Sequence, residues 1–360
     1  MTRLHLSFLD TRVRFELAPD AMPAFAGVRR FFRHLLRPDG DDDGPAAFVV
    51  RVDTYQPERD VPAAVWLVEP SVIRRSTAPE FTFDAHVVDA PDGRRRYVNR
   101  TTWLEAPPDA RTDPVFRLRI TPGSTIQVID FVRDLVIRNQ EALGTVVWHA
   151  AGVTDGHRAI VVAGRKGAGK TTTLLSLLRR DGWSYFTGDK LFVRPRVDGV
   201  DVFPWRDYPY LGVGTIRADP ALDTRVRRLV GPSLDSRPPT DKLLLDPDEF
   251  ESWLGGGFSA QPRRLAAILL PQVRPGRPLR HWPVTDPNQR WAQLNIIVDR
   301  QADTSFFGWQ SHLVPDYTQF FAALAELPPR LTGVPMIRLE GTLDVDPDAL
   351  LAEHGAGVRS

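Results

Sequence analysis

The stretch that decides the fold runs from Gly164 to Thr171 and reads GRKGAGKT, which fits the phosphate-binding pattern GxxxxGK[ST]. The apolar run Ala159 to Ala163 precedes it and predicts a buried strand. The segment from Thr172 to Arg180 follows it, and its four closely spaced leucines predict a packed helix. We therefore expect the loop to lie between a strand and a helix and to bind a nucleotide.

Each residue type in this loop has a physical role. Glycines adopt backbone conformations that other residues disfavour, which lets successive N–H groups converge on an anion at a helix N-terminus. We expect Lys170 to bind the β- and γ-phosphates of the nucleotide and the Thr171 hydroxyl to bind Mg²⁺. The predicted cofactor-binding residues are Gly164, Arg165, Lys166, Gly167, Ala168, Gly169, Lys170, Thr171 and Thr172.

Lysine is rare in this chain and occurs only at positions 166, 170, 190 and 242, whereas the other basic residues are arginine. Two of the four lysines fall in the loop, which suggests that position 170 requires a compact ammonium rather than a planar guanidinium. Lys242 is a further candidate for the site. The alternative is that its segment, PPTDKLLLD, is simply the start of a strand.

With 360 residues, of which 42% are apolar, the chain is long enough to bury one large core or to form two domains. Strand-like segments from Ala46 to about Ile120, with a Pro-Asp-Gly turn at 91–93, predict an antiparallel sheet. A helix should begin at a capping box formed by Ser124 and Gln127 and end at Gly144. We predict a strand-rich α+β region over 1–143 and a nucleotide-binding α/β domain over 144–360.

The charge balance and the absence of cysteine exclude several functions. The net charge is +1, so no global field attracts nucleic acid or an acidic membrane. Without cysteine the chain forms no disulfide, thiolate zinc site or thiol nucleophile, which fits a cytoplasmic protein. No signal peptide or membrane-length apolar run is present. We expect a cytoplasmic protein without nucleic-acid or membrane partners; its oligomeric state, a homo-oligomer included, is left open.

Phosphoryl transfer also needs a carboxylate, and Asp189 is the first candidate. It follows the predicted strand Trp183 to Phe186, and a right-handed crossover to a parallel strand would bring it to the phosphate-binding edge of the sheet. A turn-forming role for Thr-Gly-Asp-Lys is the alternative. The rival is Asp299, which ends the apolar string IIVD, but the apolar spacing there favours a helix over a strand.

Two segments resemble a known family. Residues 148–193, WHAAGVTDGHRAIVVAGRKGAGKTTTLLSLLRRDGWSYFTGDKLFV, look like the catalytic core of the HPr kinase/phosphorylase-like proteins. Residues 334–354, VPMIRLEGTLDVDPDALLAEH, are similar to the tail of family members linked to tailoring clusters, including lasso-peptide kinases. The resemblance implies an HPr kinase-type P-loop core and transfer of the γ-phosphate of ATP, with Mg²⁺, to the hydroxyl of a peptide serine or a small metabolite.

The resemblance also implies roles for single residues. His149 would lie near the nucleotide, and Asp189 would bind Mg²⁺ and act on the acceptor. Family members usually have two adjacent acids here, whereas this chain has Gly188 at the first of the two positions. Arg277 in VRPGR would be a transition-state cation, or else a solvated turn residue. The predicted catalytic residues are Asp189, His149, Lys170 and Arg277, and the predicted metal ligands are Thr171 and Asp189.

The function predicted from the sequence is therefore an ATP- and Mg²⁺-dependent kinase with a hydroxyl acceptor. Two alternatives stay open. One is an ATP-binding regulator or scaffold that transfers no phosphate, which the missing acid at position 188 favours. The other is a hydrolytic NTPase switch.

Overall fold

The sheets and helices of this protein make a mixed α/β structure. A computed structural model describes residues 1–38, 44–76, 79–254, 258–274, 276–299, 308–313, 317–342 and 344–355, and these contain 19 strands and ten α-helices. The chain divides into two compact units after Gly144. The first unit also includes the described residues of Arg300–Phe320, which the sequence analysis assigned to the second domain. The second unit comprises Thr145–Asp299 and the chain from Phe321 onwards.

The first unit is built on a nine-stranded sheet in the order β3-β1-β2-β4-β9-β8-β7-β6-β5. Its strands are β1 (Thr2–Phe8), β2 (Thr11–Leu17), β3 (Leu36–Pro38), β4 (Phe48–Thr54), β5 (Ser71–Arg74), β6 (Phe83–Asp89), β7 (Arg95–Val98), β8 (Thr102–Ala106) and β9 (Val115–Ile120). The Pro-Asp-Gly turn joins β6 and β7 as an antiparallel hairpin, as expected. The sheet is not antiparallel throughout, however, because β4 runs parallel to both β2 and β9.

Three helices accompany this sheet: α1 (Met22–Phe31), α2 (Pro57–Asp60) and α3 (Thr125–Ala142). The long helix α3 was predicted, and Gly144 follows its end with a φ of 79°. The predicted capping box of Ser124 and Gln127 is wrong. The reciprocal hydrogen bonds instead join Thr121 and Ser124 across a short 3₁₀ turn that precedes α3. The proline in this turn shifts the cap three residues upstream of the expected position.

The second unit contains the remaining strands and most of the remaining helices. Its strands are β10 (Val146–Thr154), β11 (Arg158–Ala163), β12 (Ser184–Thr187), β13 (Lys190–Arg196), β14 (Gly199–Pro204), β15 (Tyr210–Gly212), β16 (Lys242–Leu244), β17 (Arg263–Val273), β18 (Arg280–Pro283) and β19 (Met336–Gly341). Its helices are α4 (Lys170–Leu177), α5 (Val213–Arg217), α6 (Pro220–Val230), α7 (Pro247–Trp253), α8 (Pro287–Ile297) and α10 (Pro347–His354), and α9 (Tyr317–Arg330) crosses the boundary between units.

The central sheet of the second unit has eight strands, and five of them pair in a closed ring. β11 pairs antiparallel with β10, β10 with β13, β13 with β14 and β14 with β17. β17 then pairs parallel with β11 and closes the ring. β19 lies parallel to β17 outside this ring, and β15 and β16 form a separate two-stranded sheet.

Helix α4 is held against this sheet by its apolar face. Leu174 and Leu177 are buried in one cluster with side chains of β10, β11, β17, β19 and α10. Burying a leucine side chain contributes about 1.5–3 kcal/mol, so two such anchors stabilise the start of α4 and the loop before it. Within the part of the chain that the structure describes, none of the helices has both the length and the apolar character needed to cross a membrane.

Candidate functional site

The GRKGAGKT loop connects β11 to the first residue of α4, as the sequence predicts. Its three glycines have positive φ angles, of 149° at Gly164, 83° at Gly167 and 99° at Gly169. Residues with a side chain avoid this region because Cβ collides with the backbone. The glycines therefore let the chain turn sharply, so that the free N–H groups at the start of α4 open onto the loop.

The loop also lies very close to the end of β17. A Cβ placed on Gly169 would lie 2.0 Å from Cγ2 of Val273. The backbone N–H of Val273 donates a hydrogen bond of 3.2 Å to the carbonyl oxygen of Ala168. Gly169 is thus required both by its φ angle and by this close approach, which ties the loop to the sheet beneath it.

Lys170 directs its ammonium back into the loop. Its Nζ donates a hydrogen bond of 2.8 Å to the carbonyl oxygen of Gly164. Burial lowers the pKa of Lys170, while the negative charge of Asp189 acts in the opposite direction. A partly buried ammonium inside a glycine-rich loop is a suitable partner for a phosphate group.

The three threonines after Lys170 have different surroundings. The Thr173 hydroxyl donates to the carbonyl oxygen of Gly169 over 2.9 Å, and the Thr172 hydroxyl lies 3.5 Å from that of Thr215. Thr171 is half-buried, and its hydroxyl makes no hydrogen bond to any of the described residues. Thr171 is therefore the threonine whose oxygen is available to a cation.

Asp189 lies on the opposite side of β10 from the start of the loop. Strand register pairs Ala150 of β10 with Ala163 on one side, and the Ala150 N–H donates to the carbonyl oxygen of Asp189 on the other. With strands about 4.8 Å apart, the loop and Asp189 are separated by about 10 Å of sheet. The expected crossover was therefore correct in direction, although β10 lies between β11 and β12.

His149 and Asp189 are hydrogen-bonding neighbours at this edge of the sheet. Nδ1 of His149 lies 3.0 Å from Oδ1 of Asp189, and both side chains are about half exposed. Partial burial would raise the pKa of Asp189. The charge of Lys190 and the hydrogen bond from His149 outweigh this effect and hold the pKa of Asp189 well below its usual value. Asp189 is thus a carboxylate near neutral pH.

Lys190 connects Asp189 with the rival acid Asp299. Its ammonium forms an ion pair with Asp299 and lies 3.9 Å from Oδ2 of Asp189. Burial would lower the pKa of Lys190, but the charges of these two acids raise it above its usual value. Asp299 follows helix α8 rather than a strand, as the sequence favoured, and its N–H donates to Val147 of β10 over 2.8 Å.

A second acid, which the sequence analysis missed, lies beside Asp189. Oδ2 of Asp207 accepts hydrogen bonds from the backbone N–H groups of Asp189, over 3.1 Å, and of Lys190, over 3.2 Å. Burial, together with the negative charge of Asp189, raises the pKa of Asp207 well above its usual value. Two neighbouring carboxyl groups therefore differ strongly in proton affinity, a pattern typical of functional sites.

A signal for Asp207 lies in the sequence around Asp198 and Gly199, which favours a hairpin, and the structure has one there between β13 and β14. In the ladder of that hairpin Leu191 is opposite Pro204. Continuing the register by three residues places Asp207 opposite Gly188. The second acid is thus adjacent in space although it lies 18 residues further along the chain.

The structure also explains why position 188 carries no acid. A Cβ on Gly188 would lie 2.7 Å from the hydroxyl oxygen of Tyr185. Tyr185 packs its ring edge-on against Phe250, with 5.5 Å between the ring centroids. The tyrosine therefore fills the volume that a side chain at position 188 would require.

Three of the four lysines, Lys166, Lys170 and Lys242, interact electrostatically with one another. Lys242 and Lys166 interact electrostatically, and burial together with the charge of Lys166 lowers the pKa of Lys242. The charge of Lys242 in turn contributes to lowering the pKa of Lys170. Lys242 also lies over the ring of Tyr210, 5.0 Å from its centroid. Positive charge from separate elements thus converges around the loop.

Arg277, the fourth predicted catalytic residue, makes no hydrogen bond or ion pair with this cluster within the described ranges. It lies on a turn after β17, where its N–H donates to Arg274 over 3.3 Å. Its carbonyl oxygen accepts a hydrogen bond of 2.7 Å from the N–H of Thr342. The Arg277 side chain is exposed.

No protein-family model matches this chain, and no curated protein matches it.

Proposed function

We propose that the second unit is an ATP- and Mg²⁺-dependent phosphotransferase with an HPr kinase-like P-loop core, whose acceptor is a hydroxyl of a peptide serine or a small metabolite. The observation that carries the proposal is a glycine-rich loop at a helix N-terminus with the Lys170 ammonium directed into it, together with the neighbouring acids Asp189 and Asp207 on the far side of β10. Phosphoryl transfer depends mainly on positioning and charge neutralisation, which this arrangement offers.

Two of the oxygen donors in this unit fit Mg²⁺. They are the Thr171 hydroxyl at the loop and the Asp189 carboxylate across β10, both of a type that Mg²⁺ prefers. When bound, Mg²⁺ supplies charge neutralisation for the phosphate oxygens. Asp207 lies beside Asp189 and would supply the second acid that position 188 lacks, which supports transfer over binding alone.

In the reaction, the acceptor oxygen forms a bond to the γ-phosphorus while the bond from that phosphorus to the bridging oxygen of ADP breaks. The hydroxyl proton passes to the carboxylate of Asp189. His149 acts as a positioning residue, because its Nδ1, 3.0 Å from Oδ1, orients this carboxylate and favours its charged form. Lys170 and the loop amides stabilise the negative charge on the transferred group.

The test uses ATP labelled at the γ-phosphate, with the full chain, Mg²⁺ and a panel of serine peptides and small alcohols. Asp189→Asn should lower the rate of transfer by about 10²- to 10⁴-fold, as expected for loss of an acid–base group, with ATP still bound. Lys170→Ala should abolish ATP binding in calorimetry. Asp181→Asn is the matched control, because Asp181 is exposed on the turn after α4, and it should leave both properties unchanged.

The outcomes separate the three candidate functions. Binding of ATP without transfer or hydrolysis would sink the kinase proposal in favour of an ATP-binding regulator. Steady phosphate release that needs no acceptor would instead identify an NTPase switch. If the folded protein binds no nucleotide, the whole assignment is wrong.

A further inference from the structure

A second cluster of potential ligands lies in the C-terminal part of the second unit. It consists of His281 on β18 with Glu353 and His354 at the end of α10. Nδ1 of His281 lies 2.9 Å from Nε2 of His354. Oε1 of Glu353 lies 3.8 Å from the former nitrogen and 3.6 Å from the latter. Among the described residues, no other group of His, Asp and Glu side chains brings three ligand atoms so close together.

These separations match a metal site. A point equidistant from the three atoms lies about 2.0 Å from each of them, within the range of zinc–nitrogen and zinc–oxygen bonds in proteins. The two imidazole rings are perpendicular, with centroids 5.2 Å apart, so both nitrogens approach the point without stacking of the rings. An ion there would need only small side-chain movements.

The elements that carry the ligands are fixed independently of any ion. β18 pairs with β19, which places His281 opposite Leu339. Helix α10 is capped by Asp346, and Leu350 and Leu351 bury its apolar face in the cluster that also contains Leu339. Preorganised ligands lose little conformational freedom on binding, which favours affinity.

The three side chains differ in their exposure to solvent, and the cluster is open on one side. The His354 side chain is 10% exposed and that of His281 is 25% exposed, whereas that of Glu353 is 61% exposed. An ion can therefore enter from the side of Glu353, and water can complete the coordination. Two imidazoles and one carboxylate favour ions of the zinc, cobalt and nickel type over Mg²⁺, which prefers oxygen ligands.

We propose that His281, Glu353 and His354 bind one divalent transition-metal ion of the zinc type, which fastens α10 to β18. Helix α10 and the turn before it are also tied to α4. The Val345 N–H donates to Ser176 Oγ over 3.1 Å, and Trp183 Nε1 donates to Asp348 over 3.2 Å. The ion thus stabilises the C-terminal segment that supports the helix after the loop, and this site does not depend on the proposed phosphotransfer.

The test titrates Co²⁺ and Zn²⁺ into the full chain without nucleotide. We expect one equivalent to bind, a visible cobalt absorption of four- or five-coordinate type, and a rise in the midpoint of thermal unfolding. Mutation of a residue that only hydrogen-bonds to a metal ligand typically weakens metal affinity about 10- to 100-fold. Loss of a ligand should cost at least as much, so we expect His281→Ala and His354→Ala each to weaken binding by at least about tenfold.

Two further variants keep the test decisive. Glu353→Gln changes an exposed side chain, preserves the fold and should weaken binding in the same direction. His157→Ala removes an exposed histidine elsewhere in the second unit and should leave binding unchanged. Absence of cobalt binding by the folded wild-type protein, or equal affinity in the wild type and all three ligand variants, would overturn the proposal. Neither result bears on ATP binding.

Discussion

At the scale of single residues, the positions of the neighbouring acids Asp189 and Asp207 are related to the packing around Gly188. Gly188 separates β12 from the residue that bears the candidate catalytic carboxylate, and the Tyr185 hydroxyl occupies the place of its missing side chain. The chain therefore carries its second acid, Asp207, on the neighbouring strand connection. Asp207 is therefore close to Asp189 in space although the two acids are 18 residues apart in the sequence.

A double-mutant cycle tests this packing. Gly188→Ala places a methyl group against the Tyr185 hydroxyl and should lower the free energy of unfolding by about 1–3 kcal/mol. Tyr185→Phe removes that oxygen, after which the nearest ring atom lies 3.8 Å from the new methyl group. The double variant should thus recover most of the loss in denaturant unfolding. Purely additive losses would contradict this account.

At the scale of elements, helix α3 of the first unit carries a buried charged network. Asp134 accepts hydrogen bonds of 2.8 Å from Nε1 of Trp309 and from Nε2 of Gln310. It also pairs with Arg74 of β5 over 3.0 Å. One carboxylate thus joins α3, the edge strand of the sheet and the segment 308–313, which is distant in sequence.

Removal of the Asp134 carboxylate should lower the stability of the first unit. Asp134→Ala leaves buried donors without their acceptor and should lower the free energy of unfolding by about 3–5 kcal/mol in chemical denaturation. The control is Asp53→Ala on the exposed face of β4, which should change stability by less than about 0.5 kcal/mol. Equal effects of the two substitutions would show that the network is not stabilising.

The elements differ in how well the sequence predicts them. The loop, its strand and its helix follow from contiguous residues, because glycine conformations and apolar spacing are local properties. The pairing of β4 with β2 and β9, the approach of Asp207 to Asp189, and the contact of His281 with His354 are long-range. Such contacts depend on strand order, which a single sequence does not specify, although the hairpin register would have located Asp207.

At the scale of the whole molecule, the stability of the chain should depend on pH through His312 of the first unit. This side chain is buried, and burial lowers its pKa below the ordinary value of 6.5. The Tyr97 hydroxyl donates to the carbonyl oxygen of Gly308 over 3.0 Å, and its oxygen also lies 2.9 Å from Nε2 of His312.

The sign of the pH effect follows from this lowered pKa. Below pH 6.5 the unfolded chain binds a proton that the folded chain resists, so stability falls as the pH decreases, by up to about 1.4 kcal/mol per pH unit. His312→Gln should reduce this slope between pH 7 and pH 5 in unfolding titrations, whereas His157→Gln should not. An unchanged slope in His312→Gln would mean that another group is responsible.

The ring of five strands in the second unit restricts motion at the base of the glycine loop. Because β11 is hydrogen-bonded to β10 on one side and to β17 on the other, the strand that leads into the glycine loop has no free edge. Its amide hydrogens belong among the slowest of the chain to exchange with solvent. The base of the loop is then held in place, and we expect any opening of the loop to occur on the side that faces away from this ring.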